Sequence, residues 1–314
     1  VHLGNYLGAM RPIIAEQTST DTVVLISDLH ALTLHHDPAQ VRQRTVEFAT
    51  LLLAAGLDPD ACLFLVQSHV PEHTELHYLL ECVTGYGEAH RMIQFKEKSR
   101  RHQQQVRISL LTYPILMAAD ILLYDTDEVP VGEDQRQHVE LARDLAIRFN
   151  TRYGPTFPVP RAVNPPVAAR IRDLSAPTQK MSKSTSSPAG ALRLLDEPTL
   201  LRRKILRAVT DTGTTVVYDP AQAPGVANLL DILADCTGEQ PHHLATQFDR
   251  YSELKHAVAD AVVATLAPLR QRYLALTAEP EHVQSVLRAG AKRAQQQASD
   301  KIRQAKSAIG LLPL

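Results

Sequence analysis

Two short apolar runs with a helix between them constrain this chain more than any other feature. Thr22-Val23-Val24-Leu25-Ile26-Ser27 is short, β-branched and ended by Asp28, the pattern of a buried strand. Asp37-Pro38 reads as a helix start, an N-cap followed by proline at the first helical position, and Gly56 fits the stop. Cys62-Leu63-Phe64-Leu65-Val66 is a second buried strand. Strand, helix, strand at this spacing is a βαβ crossover and demands a parallel sheet. Ligands of such sheets sit beyond the carboxyl ends of the strands, which here carry Asp28, His30, Gln67 and Ser68.

Further helices are predicted over about 71–84, 114–124 and 134–150, with Pro114 in a first turn. A proline-rich loop region covers 155–188, and helical periodicity then dominates over 200–209, 226–236, 254–273 and 281–309. The expected fold is α/β: a Rossmann-like parallel-sheet domain over 1–190, then an all-helical domain over 191–280, with a last helix at about 281–314 that packs back on the first domain. With 314 residues and 44% hydrophobic content there is material for more than one core. The 33 basic and 34 acidic residues nearly cancel, which excludes a polycation held on nucleic acid by bulk charge alone.

Cys62, Cys82 and Cys236 are scattered, arguing for a reducing compartment and against a zinc site or disulfide framework. No histidine pair combines metal-ligand spacing with convincing carboxylate partners. The histidines other than His2 and His30 read as surface residues, and no metal site is expected in the chain itself. No apolar run approaches a membrane span, so a soluble cytoplasmic protein is the expectation. The chain opens at Val1 directly on a polar helix start, and about a dozen residues, one strand and a loop, are expected before it.

The chemistry concentrates in a few segments. Lys180-Met181-Ser182-Lys183-Ser184 places two ammonium groups and two hydroxyls in one loop, which can close on a polyphosphate and offset the charge of departing pyrophosphate. Far upstream, His2-Leu3-Gly4-Asn5 begins a helix whose free amides attract phosphate oxygens, with Gly4 allowing close approach of a nucleotide. Tyr113, Met117, Asp120 and Tyr124 share one helical stripe. Asp120 is a carboxylate in an apolar helix, and leaving it buried and unpaired would cost several kcal/mol. Its partner is either a helix cap or an internal arginine, or else a ligand N–H such as that of an indole.

Val129-Pro130-Val131-Gly132-Glu133-Asp134-Gln135 is an extended piece running into a helix. Glu133 and Asp134 either cap that helix or face ribose hydroxyls, and the Gln135 carbonyl suits an α-ammonium with Tyr113 as neighbour. His30 orients a substrate or satisfies a backbone carbonyl. Of Lys96 and Lys98, Lys98 is favoured to reach phosphates. The fingerprints of a P-loop, a dinucleotide-binding turn and a nucleophile elbow do not occur.

Together His2–Asn5 and Lys180–Ser184 resemble the paired motifs of class I aminoacyl-tRNA synthetases. The ordered set including Asp28–His30, Gln67–Pro71, Gln94–Ser99, Tyr113–Tyr124, Val129–Gln135 and Ala169-Arg170-Ile171 resembles the bacterial-type tryptophanyl-tRNA synthetase family over nearly the whole chain. The resemblance implies a homodimer that uses ATP with magnesium, L-tryptophan and tRNA(Trp), and no membrane. It implies that His2, Asn5, Lys98, Lys180 and Lys183 serve catalysis. Gly4, Asn5, Gly132, Glu133, Asp134, Ile171, Lys180, Met181, Ser182, Lys183 and Ser184 would contact ATP. Asp120 would take the indole N–H, Tyr113 and Gln135 the ammonium, and Met117, Val129 and Val131 would line the indole pocket with His30 nearby.

One departure is Thr185, where the family usually has aspartate. The helical half would read the anticodon, with basic residues on two helices: Arg202, Arg203, Lys204 and Arg207, then Lys292, Arg293, Lys301, Arg303 and Lys306. A tyrosyl-specific enzyme of the same architecture and a non-aminoacylating tryptophan or adenylate sensor are the rival readings. A phenol pocket would need paired polar groups at its far end, where Asp120 alone stands out, and the intact lysine loop argues against the sensor.

Overall fold

The computed structural model describes residues 1–96, 106–164, 171–182, 188–213 and 215–312. It contains two compact units, each assembled from separate stretches of chain. One gathers Val1–Glu16, Leu51–Leu57 and Pro166–Ala278; the other gathers Gln17–Thr50, Asp58–Pro165 and Glu279–Leu314.

The second unit holds the strands. β1 (Val23–Ile26) and β2 (Leu63–Val66) pair in parallel, with Val23 opposite Leu63 and Ile26 opposite Val66. Between them in the chain lies helix Pro38–Ala55, started as expected by Asp37, whose carboxylate accepts the Ala39 N–H at 2.9 Å. Gly56 follows it at φ +111°, a conformation that L side chains rarely adopt. A second parallel pair joins β3 (Glu128–Pro130) to β4 (Arg161–Val163). Every residue of β2 is buried, as a strand covered on both faces requires.

Helices Glu72–Glu81, Ile108–Leu122 and Glu133–Tyr153 pack around this core, with helix Ile108–Leu122 against the other two. Helix Ile108–Leu122 corrects one expectation. It begins well before Pro114, which lies inside it and deprives the Leu110 carbonyl of its usual amide partner.

Helix Pro280–Ala308 belongs to this same unit and lies on β2. Its contact face is made of small residues, Gly290, Ala294 and Ala298, with Ile302 behind them. A Cβ at Gly290 would overlap the Phe64 carbonyl oxygen, so only glycine permits this approach.

The first unit is mainly helical. Helices Pro198–Leu206 and Pro224–Thr237 both pack on helix Tyr251–Ala278. It also contains the helical start Leu3–Asn5 and a hairpin-like segment around Ile171–Met181. The architecture is thus a Rossmann-like parallel α/β core with a helical C-terminal region. Among the described residues, no helix is long and apolar enough to cross a membrane.

Candidate active site

The carboxyl ends of β1 and β2 run into short helical segments, Asp28–Ala31 and Gln67–His69, and the two ends are tied together. Asp28 accepts both the backbone N–H and the hydroxyl of Ser68, and the Gln67 amide oxygen accepts the Leu29 N–H at 3.1 Å. This junction aims His30 and Gln67 at Asp120 on helix Ile108–Leu122.

Asp120 has an 8% exposed side chain and is met by three neighbours. The Gln67 amide nitrogen donates to both carboxylate oxygens at 2.8 Å. His73 Nδ1 lies 2.7 Å from Oδ1, and His30 Nε2 lies 3.0 Å from Oδ2. Burial alone pushes the Asp120 pKa up. Hydrogen bonds and positive potential from His30 and His73 outweigh it, holding the carboxyl below its ordinary range. The group is therefore an anion enclosed by donors, the state in which it can also accept a ligand N–H.

The rest of the stripe surrounds this anion. Tyr113 sits edge-on to the His30 ring at 5.9 Å, and its hydroxyl lies 3.0 Å from His138 Nε2. Burial pushes the Tyr113 phenol up to about 12. The Tyr124 hydroxyl is 2.8 Å from His73 Nε2. Met117, half-buried on the same helix, packs on the core that also receives Val129 and Val131.

Gly132 caps helix Glu133–Tyr153, and Glu133 and Asp134 occupy its exposed first turn. Glu133 pairs with Arg136 at 3.3 Å, while the Gln135 amide donates to Asp134 at 2.8 Å.

The other set of predicted residues falls in the mainly helical unit. His2 is the N-cap of the Leu3–Asn5 turn, and its backbone N–H donates to the Asn5 side chain at 3.3 Å. A Cβ added to Gly4 would stand 3.3 Å from the His2 imidazole and 3.5 Å from Ile171 Cβ, so the glycine turn lies directly against Ile171. Ile171 and Met181 are buried side by side: the Met181 N–H donates to the Ile171 carbonyl at 3.1 Å, and Arg172 bridges to Lys180. Lys180 is exposed and Ser182 half-buried. The structure thus brings His2, Gly4, Asn5, Ile171, Lys180, Met181 and Ser182 into one neighbourhood. Lys98, Ala169, Arg170, Lys183, Ser184 and Thr185 lie outside the described residues.

Two expectations are corrected. His73 and His138 are buried, not surface residues, because each has a polar partner inside the core. Lys204 and Lys301 are not free basic side chains on a helix face. Lys204 is buried against the Ala191 carbonyl and Asp196, and Lys301 against the Thr156 carbonyl and Asp125. Arg202 pairs with Asp260, whereas Arg203, Arg207 and Lys292 are exposed.

Sequence reasoning missed His73 and Asn228. His73 shares the buried stripe of Leu76 and Leu80 in helix Glu72–Glu81, three and seven residues on, and that phase was a readable signal. Asn228, 2% exposed on helix Pro224–Thr237, accepts the Arg172 N–H at 2.7 Å and donates to the Arg172 carbonyl at 3.2 Å. No local pattern announces it. Among the described residues, no group of three or more His, Cys, Asp or Glu side chains is arranged to hold a metal ion.

Comparison with known proteins agrees with this geometry. Residues 1–267 match the family described as tRNA synthetases class I (W and Y). The chain is 57% identical to tryptophan–tRNA ligase 1 of Streptomyces coelicolor, over 99% of this chain and 94% of that protein. Its structure resembles the tryptophanyl-tRNA synthetase of Mycoplasma pneumoniae, with a TM-score of 0.86 and 34% identity, covering 99% of this chain and 94% of that one. The tryptophanyl-tRNA synthetase of Campylobacter jejuni, solved in complex with ADP and tryptophan, also gives a TM-score of 0.86, at 30% identity and with 99% and 96% of the two chains covered.

Proposed function

The chain belongs to the class I tRNA synthetases of the tryptophan and tyrosine group, and from that premise we propose how its residues serve tryptophan. It is an ATP-dependent tryptophan–tRNA ligase. It activates L-tryptophan to the adenylate with release of pyrophosphate, then transfers tryptophan to tRNA(Trp).

In the first step the tryptophan carboxylate attacks the α-phosphorus of ATP, and the bond to pyrophosphate breaks. No covalent enzyme intermediate is needed, so the protein contributes position and electrostatics. His2, Gly4 and Asn5 meet the phosphates at the helix start, and Ile171 lies under the adenine. Lys180 and Lys183, together with Lys98, offset the charge that develops on the leaving group, with Met181, Ser182 and Ser184 shaping the loop. ATP enters as its magnesium complex. Gly132, Glu133 and Asp134 serve the ribose side.

Asp120 receives the indole N–H in a pocket of Met117, Val129, Val131 and His30, with Tyr113 and Gln135 toward the ammonium. A terminal ribose hydroxyl of tRNA(Trp) then attacks the adenylate. The phenylalanine side chain has no N–H, so it would leave Asp120 short of one donor, a mismatch that buried polar sites penalise heavily. A cytoplasmic homodimer whose helical residues 191–280 read the anticodon completes this reading.

The observation that carries the activation chemistry is the pairing of Lys180-Met181 to the Ile171 segment, itself packed on the Gly4 turn. Two stretches far apart in sequence thereby meet, which supports their acting on one triphosphate. The test is amino-acid-dependent ATP–pyrophosphate exchange with tryptophan, tyrosine and phenylalanine, followed by charging of tRNA(Trp). Exchange and charging with tryptophan are expected. Preference for tyrosine, exchange without charging, or no exchange would each overturn the proposal.

A further inference from the structure

Asp120 does not stand alone in the core. Two of its three donors, Gln67 and His73, are fully buried, whereas the His30 side chain is 20% exposed. The one of these three donors that reaches solvent is therefore His30, which meets Oδ2 at 3.0 Å. Oδ1 faces inward, where it takes His73 Nδ1 at 2.7 Å.

That contact fixes the proton arrangement on the imidazole. An ionised carboxylate has no proton to give, so Nδ1 must be the donor. In the neutral ring Nε2 is then an acceptor, and the Tyr124 hydroxyl, 2.8 Å away, donates to it. The Tyr124 ring also packs against the imidazole, with centroids 5.5 Å apart. With a neutral imidazole, Tyr124, His73 and Asp120 thus form one directed line of hydrogen bonds that ends on the carboxylate.

We propose that His73, oriented by Tyr124, is a specificity-positioning residue: it holds Oδ1 so that Oδ2 alone meets the N–H of an indole. This rests on the assignment of Asp120 to that N–H. Neither His73 nor Tyr124 touches the substrate; both act through Asp120. Without His73 the carboxylate keeps the Gln67 amide but loses its short Nδ1 contact on Oδ1, so it can tilt or take up a proton, and either change misaligns the acceptor.

The experiment compares tryptophan with its benzothienyl analogue, in which sulfur replaces the indole N–H, as substrates for ATP–pyrophosphate exchange by the full chain. In His73→Leu, kcat/KM for tryptophan is expected to fall about 100-fold, mainly through KM, while the analogue loses less than about threefold and KM for ATP stays put. His73→Asn can restore a donor near the Nδ1 position, and it should recover the preference for tryptophan to within about fivefold of the parent. Tyr124→Phe should lower that preference about fivefold.

An equal loss for both substrates in His73→Leu would mark a merely structural role and overturn the proposal. If His73→Leu does not fold, Tyr124→Phe decides: an unchanged preference between the two substrates overturns it. A parent chain that shows no exchange with tryptophan would instead sink the underlying assignment.

Discussion

Asp120 and Asp235 are both carboxylates in largely apolar surroundings, yet their surroundings drive them in opposite directions. Asp120 has His30, His73 and Gln67 as donors and stays an anion. Replacing it with alanine should erase most of the preference for tryptophan over phenylalanine in pyrophosphate exchange; unchanged selectivity would remove Asp120 from the pocket. Asp235 has one buried carboxylate oxygen with no hydrogen-bond partner among the described residues. Burial, reinforced by Asp231 and only partly countered by Arg11, pushes its pKa up to about 6.

A carboxyl whose folded pKa is raised contributes stability below its unfolded value, near 4, and that contribution is lost as pH rises through 6. Asp235→Asn should therefore melt higher than the parent at pH 7.5, by about 1 kcal/mol after allowing for solvent screening, with the advantage vanishing toward pH 4. A pH-independent difference in thermal melts would contradict this. Such contrasts were only half legible in the sequence. A lone aspartate among Met117, Ala118, Ala119 and Ile121 announces that it needs a partner, but not which one. His73 lies 47 positions away in the chain, and only the fold selects it.

At the scale of elements, strands and helices were readable because their periods are local. β1, β2 and helix Pro38–Ala55 follow from β-branched runs, an N-cap and a stop glycine. The start of helix Ile108–Leu122 was misplaced because a proline normally opens a helix, and here burial of the flanking turns outweighs that preference. The segment bearing the lysine motif was read as a loop, but what holds its base was not legible, since the clamp is a long-range amide.

Asn228 binds both backbone groups of Arg172, beside the Arg172–Lys180 bridge. Asn228→Ala removes two hydrogen bonds worth about 1 kcal/mol each and should raise KM for ATP roughly tenfold, leaving KM for tryptophan within about twofold. Parallel rises in both constants would show that the clamp does not act through the lysine segment. Lys183→Ala should by contrast lower the activation rate more than it weakens tryptophan binding, because its charge is needed only as pyrophosphate departs. Unaltered single-turnover activation would exclude that role.

For the molecule as a whole, chain order is a poor guide to which segments fold together. The composition shift near residue 190 marks where strands give way to helices, yet Glu279–Leu314 clusters with the strand-bearing unit and Val1–Glu16 with the mainly helical one. The physical reason lies in side-chain size. Helix Pro280–Ala308 offers Gly290, Ala291, Ala294, Ala298 and Ala305 on one face, which lets it approach β2 far more closely than a leucine-rich helix could. Val283, Leu287 and Ile302 are buried with them. At about 2 kcal/mol for each large aliphatic side chain, burying these three contributes about 6 kcal/mol, comparable to the lower end of the roughly 5–15 kcal/mol net stability of a typical domain.

The helix is then a structural part of the α/β unit, so a chain ending at residue 278 should lose cooperative unfolding and expose apolar surface. The graded test is Gly290→Ala, which forces a methyl against the Phe64 carbonyl and should cost about 1–3 kcal/mol in denaturant melts. A neutral Gly290→Ala, or a truncated chain that still melts cooperatively near the parent temperature, would mean that the helix covers β2 without supporting it.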